Sequence, residues 1–184
     1  MGSVEDIVDL LESRGDSQYG GEAVTQLEHA LQAATLAERE KASAALIAAA
    51  LLHDIGHLLH NLPDHAPDDG VDDHHETSAG NFLRKYFPPA VAEPVRLHVA
   101  AKRYLCAIEP GYLEQLSHPS IVSLKLQGGP MSIDEIAAFK SLPFAEDAVR
   151  LRKWDDEAKI PDFETKNVRH FEQFLRESIV KVSS

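Results

Sequence analysis

Apolar residues recur every three or four positions along most of this chain, a spacing that is typical of α-helices with one buried face. The pattern is clear in residues 4–11 and returns as a stripe of leucines and alanines after Gln26. Residues 44–60 are apolar on most sides, and they predict one long, buried helix. Further helices are predicted in residues 75–86, 90–107, 119–126, 145–158 and 165–180.

Local signals mark where several of these helices begin and end. Thr25 and Glu28 have the spacing of a capping box, and Ser132 and Glu135 have the same spacing before another helix. Residues 61–73 contain two prolines, one glycine and five aspartates, and they predict a loop. No run of alternating β-branched residues indicates a strand. We therefore expect an all-α helical bundle.

The composition agrees with a single domain over residues 1–184. Hydrophobic residues make up 43% and charged residues 26%, and no apolar run is long enough to span a bilayer. The net charge of −12 argues against nucleic acid or a membrane as partner, so an anionic substrate would need a local basic pocket. The single cysteine, Cys106, indicates a reducing compartment. Because no signal peptide precedes the first helix, we expect a cytoplasmic protein.

Six imidazole and carboxylate side chains are candidate ligands of two metal ions: His29, His53, Asp54, His75, His98 and Asp155. His53 and Asp54 are adjacent in an apolar stretch, where an imidazole and a carboxylate are costly to bury without a charged partner. His29 and His98 lie among apolar residues of other predicted helices. Helical bundles build di-metal centres in this way, with nitrogen and oxygen ligands projecting inward from facing helices.

Two of these positions have a neighbour of the same type. His74 precedes His75 and Asp156 follows Asp155, so only one residue of each pair is expected to point inward. His75 is preferred because it begins the apolar spacing of the next helix, and Asp155 because it follows Trp154. Four other histidines lie in predicted loops or on polar faces and are interpreted as solvated: His60, His65, His118 and His170.

Two further side chains are predicted to line the cavity beside the metals. His57 follows His53 by one helical turn, and Lys102 follows His98 by one turn. An imidazole and an ammonium group next to two cations would hold an oxyanion such as phosphate or a phosphonate. The sequence therefore predicts a small anionic substrate.

The longer motifs around these residues resemble one group within the HD-domain superfamily. They are Tyr19-Gly-Gly-Glu22, Gln26-Leu-Glu-His29, Leu52-His-Asp-Ile-Gly-His57, His98-Val-Ala-Ala-Lys102, Gln127-Gly-Gly-Pro130 and Arg152-Lys-Trp-Asp155. Over residues 4–160, the chain resembles the HD-domain mixed-valent di-iron oxygenases that cleave organophosphonates. These motifs are far more specific than the His-Asp pair of the superfamily alone.

The resemblance implies a cofactor of two iron ions in the Fe(II)/Fe(III) state, with O2 as co-substrate. The six predicted ligands would bind the irons, and Asp54 would bridge them. Tyr19 would guard an iron position until substrate displaces it, and Glu22 would be the partner of this gate. The resemblance also implies a cradle for the phosphonate oxygens, formed by His57, Lys102, Ser120, Ser123 and Arg152. The whole site would lie within residues 19–156.

The implied reaction is the O2-dependent cleavage of the C–P bond of a 1-hydroxy-2-aminoethylphosphonate, with release of phosphate. The product would be glycine from 2-amino-1-hydroxyethylphosphonate and glycine betaine from the trimethylammonio analogue. Three candidate walls around the substrate's nitrogen, Cys106, Tyr112 and Trp154, leave both substrates open, because aromatic walls favour a quaternary ammonium. An upstream hydroxylase that makes the 1-hydroxy compound is also implied.

Two other classes of function stay open from the sequence. The same metal shell would serve a metal-dependent phosphohydrolase or phosphodiesterase, which needs Lewis acidity and a metal-bound hydroxide rather than redox chemistry. A non-catalytic HD module is the second alternative, and it would tolerate the loss of Tyr19 and Lys102. Tyr19 and Glu22 favour the oxygenase, because a hydrolytic site does not need them.

Overall fold

The computed structural model describes residues 3–59 and 74–180, and within these ranges the chain is built from α-helices. The helices are α1 (Val4–Arg14), α2 (Gln26–Arg39), α3 (Ala44–Leu52), α4 (Ile55–Leu59), α5 (His75–Leu83), α6 (Pro89–Ile108), α7 (Tyr112–Gln115), α8 (His118–Leu126), α9 (Ile133–Lys140), α10 (Ala145–Glu157) and α11 (Val168–Ser178). The prediction of an all-α fold is confirmed.

Side-chain caps set the two helix starts that the sequence marks with a capping box. Thr25 accepts a hydrogen bond from the backbone N–H of Glu28, and the Glu28 carboxylate accepts one from the backbone N–H of Thr25. Ser132 and Glu135 make the same pair of bonds at the start of α9. These bonds satisfy N–H groups that have no partner inside the helix. Both predicted starts are confirmed.

The prediction of one continuous helix over residues 44–60 is wrong, because the chain breaks into α3 and α4 at His53 and Asp54. The break lets α4 run against α5 at very close range: a Cβ added to Gly56 would lie 2.1 Å from the carbonyl oxygen of His75. Only glycine allows two backbones to approach so closely. The apolar pattern continues through the break because both halves are buried, so the pattern does not reveal it.

Other helix boundaries lie close to their predicted positions. α6 and α10 each differ from prediction by a residue at one or both ends, whereas α5 ends three residues early, at Leu83. α11 begins at Val168 because the side chain of Asn167 caps it. His57 lies on α4 and not, as predicted, on the helix that leads to His53. The loop predicted in residues 61–73, together with His60 and His65, lies outside the described residues.

α3 lies in the centre of the main hydrophobic core. All of its residues from Leu46 to Leu52 are buried, and it packs against α2, α6, α10 and α11. Two smaller apolar clusters lie beside α6, one around Phe139 and the other around Tyr112. Four of the core helices, α2, α3, α6 and α10, also lead to buried histidine or aspartate residues, and this arrangement positions the candidate site.

Among the described helices, none combines the length and the apolar character that crossing a membrane requires.

Candidate metal centre and substrate pocket

A cluster of titratable side chains is buried where α2, α6 and α10 meet the α3–α4 break. Histidine, aspartate, lysine and arginine are rarely buried unless they are paired or bind a ligand. The buried members are His29, His53, Asp54, His98, Lys102, Arg152 and Asp155. A group of this kind inside an apolar core indicates a functional site.

The first part of the cluster, here called the inner triad, consists of His29, His53 and Asp54. The two Nε2 atoms of the histidines are 3.0 Å apart. Asp54 Oδ2 lies 3.6 Å from Nε2 of His29 and 3.4 Å from Nε2 of His53. These three ligand atoms are close enough to one another to hold one metal ion.

The second part, here called the outer triad, consists of Asp54, His75 and His98. Asp54 Oδ1 lies 3.5 Å from Nε2 of each histidine, and the two Nε2 atoms are 3.3 Å apart. These atoms too are close enough to hold one metal ion. Asp54 therefore offers one oxygen to each triad, which is the arrangement of a carboxylate that bridges two cations.

Hydrogen bonds fix which nitrogen of each buried ring faces the cluster. The Nδ1–H of His29 donates to the carbonyl of Ala158, that of His53 to Ala50, and that of His98 to Val95, at 2.7–2.8 Å. A carbonyl only accepts, so Nδ1 carries the proton and the lone pair of Nε2 points inward. This is how metal-binding histidines are oriented in proteins.

The donor set fits a metal ion. Two inward Nε2 lone pairs at 3.0 Å in the inner triad repel each other unless a cation or a proton lies between them. Asp54 Oδ1 is buried and has no hydrogen-bond partner, which is costly for a carboxylate oxygen. A cation in each triad would satisfy both conditions, and imidazole with carboxylate suits first-row transition metals.

The pKa values of these groups indicate an ionised carboxylate that attracts positive charge to the cluster. Burial raises the pKa of Asp54, but the rings of His53 and His75 outweigh burial and hold it well below its usual range. Burial lowers the pKa of His53, yet the attraction of Asp54 and Asp155 raises it overall. Burial lowers the pKa of His98 to about 3, so this ring is neutral and ready to bind a metal.

Asp155 faces the inner triad, and Asp156 does not. Asp155 Oδ1 lies 3.4 Å from Nε2 of His29, and its Oδ2 lies 2.8 Å from Nη1 of Arg152. Burial raises the pKa of Asp155, but Arg152 and His29 hold it well below its usual range. Asp156 instead accepts hydrogen bonds from Arg152 and from the hydroxyl of Tyr112.

A tight turn places Tyr19 over the inner triad and Glu22 near Lys159. Gly20 and Gly21 have φ angles of +44° and +82°, and the backbone N–H of Glu22 donates to the carbonyl of Tyr19 at 2.7 Å. The ring of Tyr19 stacks on His29 with 3.8 Å between centroids, and its hydroxyl donates to Asp155 Oδ1 at 3.4 Å. Burial, Asp155 and Asp54 raise the pKa of Tyr19, so the phenol stays protonated.

Serine and lysine side chains extend the cluster towards α8. Lys102 Nζ donates to Ser123 Oγ at 2.8 Å, and Lys159 Nζ donates to Ser120 Oγ at 3.2 Å. Burial, with a smaller contribution from Arg152, lowers the pKa of Lys102 to about 7. On the other side of the outer triad, His57 stacks on His75 with 4.1 Å between ring centroids.

The model of the HD domain matches residues 26–135, which include the outer triad, the inner triad and Lys102. This chain belongs to the HD-domain family.

Two curated relatives resemble this HD-domain protein over nearly its whole length. It is 43% identical to a [1-hydroxy-2-(trimethylamino)ethyl]phosphonate dioxygenase (glycine-betaine-forming) of Leisingera caerulea, over 97% of this chain and 91% of the relative. It is 45% identical to a hydroxymethylphosphonate dioxygenase of Gimesia maris, over 91% of this chain and 84% of the relative. The aligned region extends beyond the HD domain and covers the turn with Tyr19 and the end of α10.

The structure brings together all six predicted ligands and separates the predicted walls of the amine pocket. Trp154 lies in the main core, with the guanidinium of Arg150 over its ring at 5.1 Å. Tyr112 belongs to a different apolar cluster, against which the half-buried Cys106 packs. The three residues therefore do not form one wall.

Two predictions about other histidines have different outcomes. His118 is exposed, as predicted. His170 is half-buried and its Nε2 lies 2.9 Å from a carboxylate oxygen of Glu38, so the prediction of a solvated ring is wrong for this residue. The polar spacing of α11 conceals this contact because the partner is on α2, far away in the sequence.

Sequence reasoning missed two residues of the site. Lys159 lies two residues beyond the end of α10, and its Nζ is 4.0 Å from Asp155. Helical spacing does not mark it. Gln32 follows His29 by three positions on α2, and it is buried. Its amide Nε2 donates to the carbonyl of Ile160, and its Oε1 accepts from the backbone N–H of Ile160. No local signal marks that contact.

Proposed function

We propose that this protein is a dioxygenase that cleaves the C–P bond of a 1-hydroxyphosphonate. One observation carries the proposal: a single carboxylate, Asp54, offers one oxygen to each of two histidine pairs, in a cluster that also contains Lys102, Lys159 and two serines. Both dioxygenase relatives support it, since each is named for a phosphonate with a hydroxyl group on the carbon bound to phosphorus.

The metals of this proposal are two iron ions. Imidazole and carboxylate ligands suit iron and leave coordination positions open. When bound, the two irons would supply the redox chemistry that joins O2 to the substrate carbon. We assign them the six predicted ligands, with His29, His53 and Asp155 on the inner side, His75 and His98 on the outer side, and Asp54 between.

The chain's own residues bind and orient the substrate in this proposal. Lys102, Ser120, Ser123 and His57 donate to the phosphonate oxygens, and charge-assisted bonds of this kind are short and strong. Arg152 lies behind them, with its guanidinium on Asp155 and Asp156. In this way it holds a predicted ligand in place.

Tyr19 and Glu22 control access to the inner triad in this proposal. The ring of Tyr19 covers His29, and the buried Oε1 of Glu22 has no hydrogen-bond partner. Substrate that enters would displace Tyr19 from Asp155 and give Glu22 a donor. The phenol would keep its proton throughout, because its pKa is raised by burial and by Asp155.

The reaction converts a 1-hydroxyphosphonate and O2 into a carboxylate, phosphate and one proton. The substrates we consider are 2-amino-1-hydroxyethylphosphonate, which would give glycine, its trimethylammonio analogue, which would give glycine betaine, and hydroxymethylphosphonate. A hydroxylase acting on the parent phosphonate would supply the 1-hydroxy compound. The free thiol of Cys106 supports a reducing, cytoplasmic location.

The test is oxygen-dependent phosphate release. Protein loaded with iron under nitrogen and then partly oxidised is mixed with each of the three compounds, and phosphate and O2 are measured before and after O2 is admitted. We expect phosphate only after O2, in equal amounts to the O2 consumed. Phosphate release under nitrogen, or activity on phosphate esters alone, would instead assign the site to a phosphohydrolase.

A further inference from the structure

Lys159 places an ammonium group between Glu22 of the proposed gate and Ser120 of the proposed phosphonate cradle. Its Nζ donates to Ser120 Oγ at 3.2 Å. The same nitrogen lies 3.9 Å from a carboxylate oxygen of Glu22, 4.0 Å from Asp155 and 3.7 Å from Asp156. Its side chain is only 11% exposed. A lysine at this depth has left water and needs anions around it.

The backbone on both sides of Lys159 is fixed to α2. The carbonyl of Ala158 accepts from His29, and Gln32 makes a pair of hydrogen bonds with the backbone of Ile160. Both α2 side chains are buried. Three hydrogen bonds from one helix thus hold the peptide in place, and the direction of the Lys159 side chain into the pocket follows from that attachment.

Arg152 differs from Lys102 and Lys159 in how many of its nitrogen atoms already contact carboxylates or the Tyr112 hydroxyl. Arg152 directs all three of its guanidinium nitrogens at Asp155, Asp156 and Tyr112, which leaves it little capacity for a substrate. Lys102 and Lys159, in contrast, each hydrogen-bond to one neutral serine hydroxyl. The carboxylates near Lys159 are at 3.7–4.0 Å, beyond hydrogen-bond distance.

The two serines join the two lysines into one donor surface. Ser123 Oγ donates to the carbonyl of Ser120 at 3.1 Å, so the hydroxyls that meet Lys102 and Lys159 lie one helical turn apart on α8. A phosphonate carries up to two negative charges on three oxygens, and a protein of net charge −12 must balance them locally. Two ammonium groups on either side of two hydroxyls provide that balance.

We propose that Lys159 is a second substrate-binding cation, which pairs with Glu22 in the empty pocket and binds a phosphonate oxygen, opposite Lys102, in the filled one. The inference rests on the proposed function for its substrate. It adds a consequence of its own, because substrate would release Glu22 from Lys159 at the moment when the gate opens. Binding of the phosphonate and opening of the gate formed by Tyr19 and Glu22 would then be coupled through the ammonium group of Lys159.

The experiment compares three variants of the iron-loaded protein. Lys159→Met removes the charge, Lys159→Arg keeps it, and Lys153→Met removes an exposed lysine of α10 that pairs with Glu109 outside the pocket. Binding of methylphosphonate, which has no hydroxyl and cannot turn over, is measured by calorimetry. Iron content and the melting temperature are recorded for each variant.

We expect Lys159→Met to weaken methylphosphonate binding by about 10- to 100-fold, the usual loss for a hydrogen bond to a charged group. Lys159→Arg should recover most of the affinity, and Lys153→Met should stay within about twofold of the parent. With substrate, KM should rise by the same factor in Lys159→Met while kcat changes less. The melting temperature and iron content should stay near those of the parent.

Three results would overturn the assignment of Lys159. They are unchanged methylphosphonate affinity in Lys159→Met, no binding by the parent protein, and a loss of kcat and iron at constant KM, which would give Lys159 a purely structural role. If Lys159→Met does not fold, Lys159→Arg and Lys159→Gln are compared instead. Unaltered methylphosphonate affinity in Lys159→Arg together with lost affinity in Lys159→Gln would support the assignment. Methylphosphonate binding that depends on Lys159, without O2-dependent phosphate release, would contradict the proposed function but still support the role of Lys159 in binding.

Discussion

The inner and outer triads share Asp54 but are built in different surroundings. In the inner triad, His29 and His53 have no exposed surface, and each donates from Nδ1 to a backbone carbonyl. In the outer triad, His75 is the first residue of α5, and its side chain is 12% exposed. Its ring stacks on His57, a neighbour that belongs to the pocket and not to the core.

This difference shows that the two halves of one metal centre depend on the fold in different ways. The inner triad uses α2 and the end of α3, and both helices also fill the main core, so its geometry and the stability of the protein are linked. The outer triad depends on the close contact of α4 with α5 at Gly56. We therefore expect the inner triad to be rigid and the outer triad to be the easier of the two to remove.

Asp54→Asn should have the largest effect, because it weakens both triads at once. The neutral amide cannot balance two cations, and even partners outside the ligand shell cost 10- to 100-fold in activity. We expect iron content near zero and activity lowered by more than about 100-fold. Metal analysis and the phosphate assay measure this. Asp134→Asn, an exposed carboxylate at the start of α9, is the control and should change neither value.

His29→Ala and His75→Ala should differ in their effect on stability, because each removes a histidine from a different triad. Both should lower iron content, but His29→Ala also leaves the carbonyl of Ala158 buried without a donor, at a cost of about 2 kcal/mol. In a chain of this size, that loss lowers the melting temperature of the metal-free protein by roughly 6 °C. His75→Ala should lower it by much less, since its ring is partly exposed. Equal melting temperatures of the two variants would contradict the expectation that the inner triad is more closely linked to the stability of the fold than the outer triad.

Gly56→Ala should damage the outer triad without changing a ligand. The added methyl group would meet the carbonyl oxygen of His75 at 2.1 Å, and backbone atoms cannot move aside cheaply. We expect α5 to shift, iron content to fall towards the value of His75→Ala, and a loss of stability of about 1–3 kcal/mol. Thr77→Ala, at an exposed position of the same helix, is the control. Full iron content in Gly56→Ala would show that the outer triad tolerates this shift.

Local sequence patterns predicted most helices and two capping boxes, because those features depend on residues a few positions apart. The break at His53 and Asp54 was not predictable, since the apolar run continues through it and the contact of Gly56 with α5 that goes with it is not local in sequence. The bend that brings Asp54 between two histidine pairs is therefore a tertiary effect. It is also the feature that turns two adjacent residues into parts of two triads.

The candidate ligands were visible because titratable side chains in apolar stretches need partners, and the longer motifs resembled one family. The residues that orient them were not visible in the same way. Gln32 bonds to Ile160 across 128 positions of sequence, and Lys159 depends on that attachment. Such contacts leave no mark on spacing or composition, so the structure was needed to find them.

The unequal burial of α8 and α10 indicates where this enzyme could be altered by design. Of the nine residues of α8, only Ser120 and Leu124 are buried, although the helix supplies two hydroxyls to the pocket. On α10, Leu151 and Trp154 fill the core beside the residues that face the candidate metal centre. A library of α8 variants should therefore yield folded proteins with altered substrate preference. The same diversity placed in α10 should yield mostly proteins that do not fold.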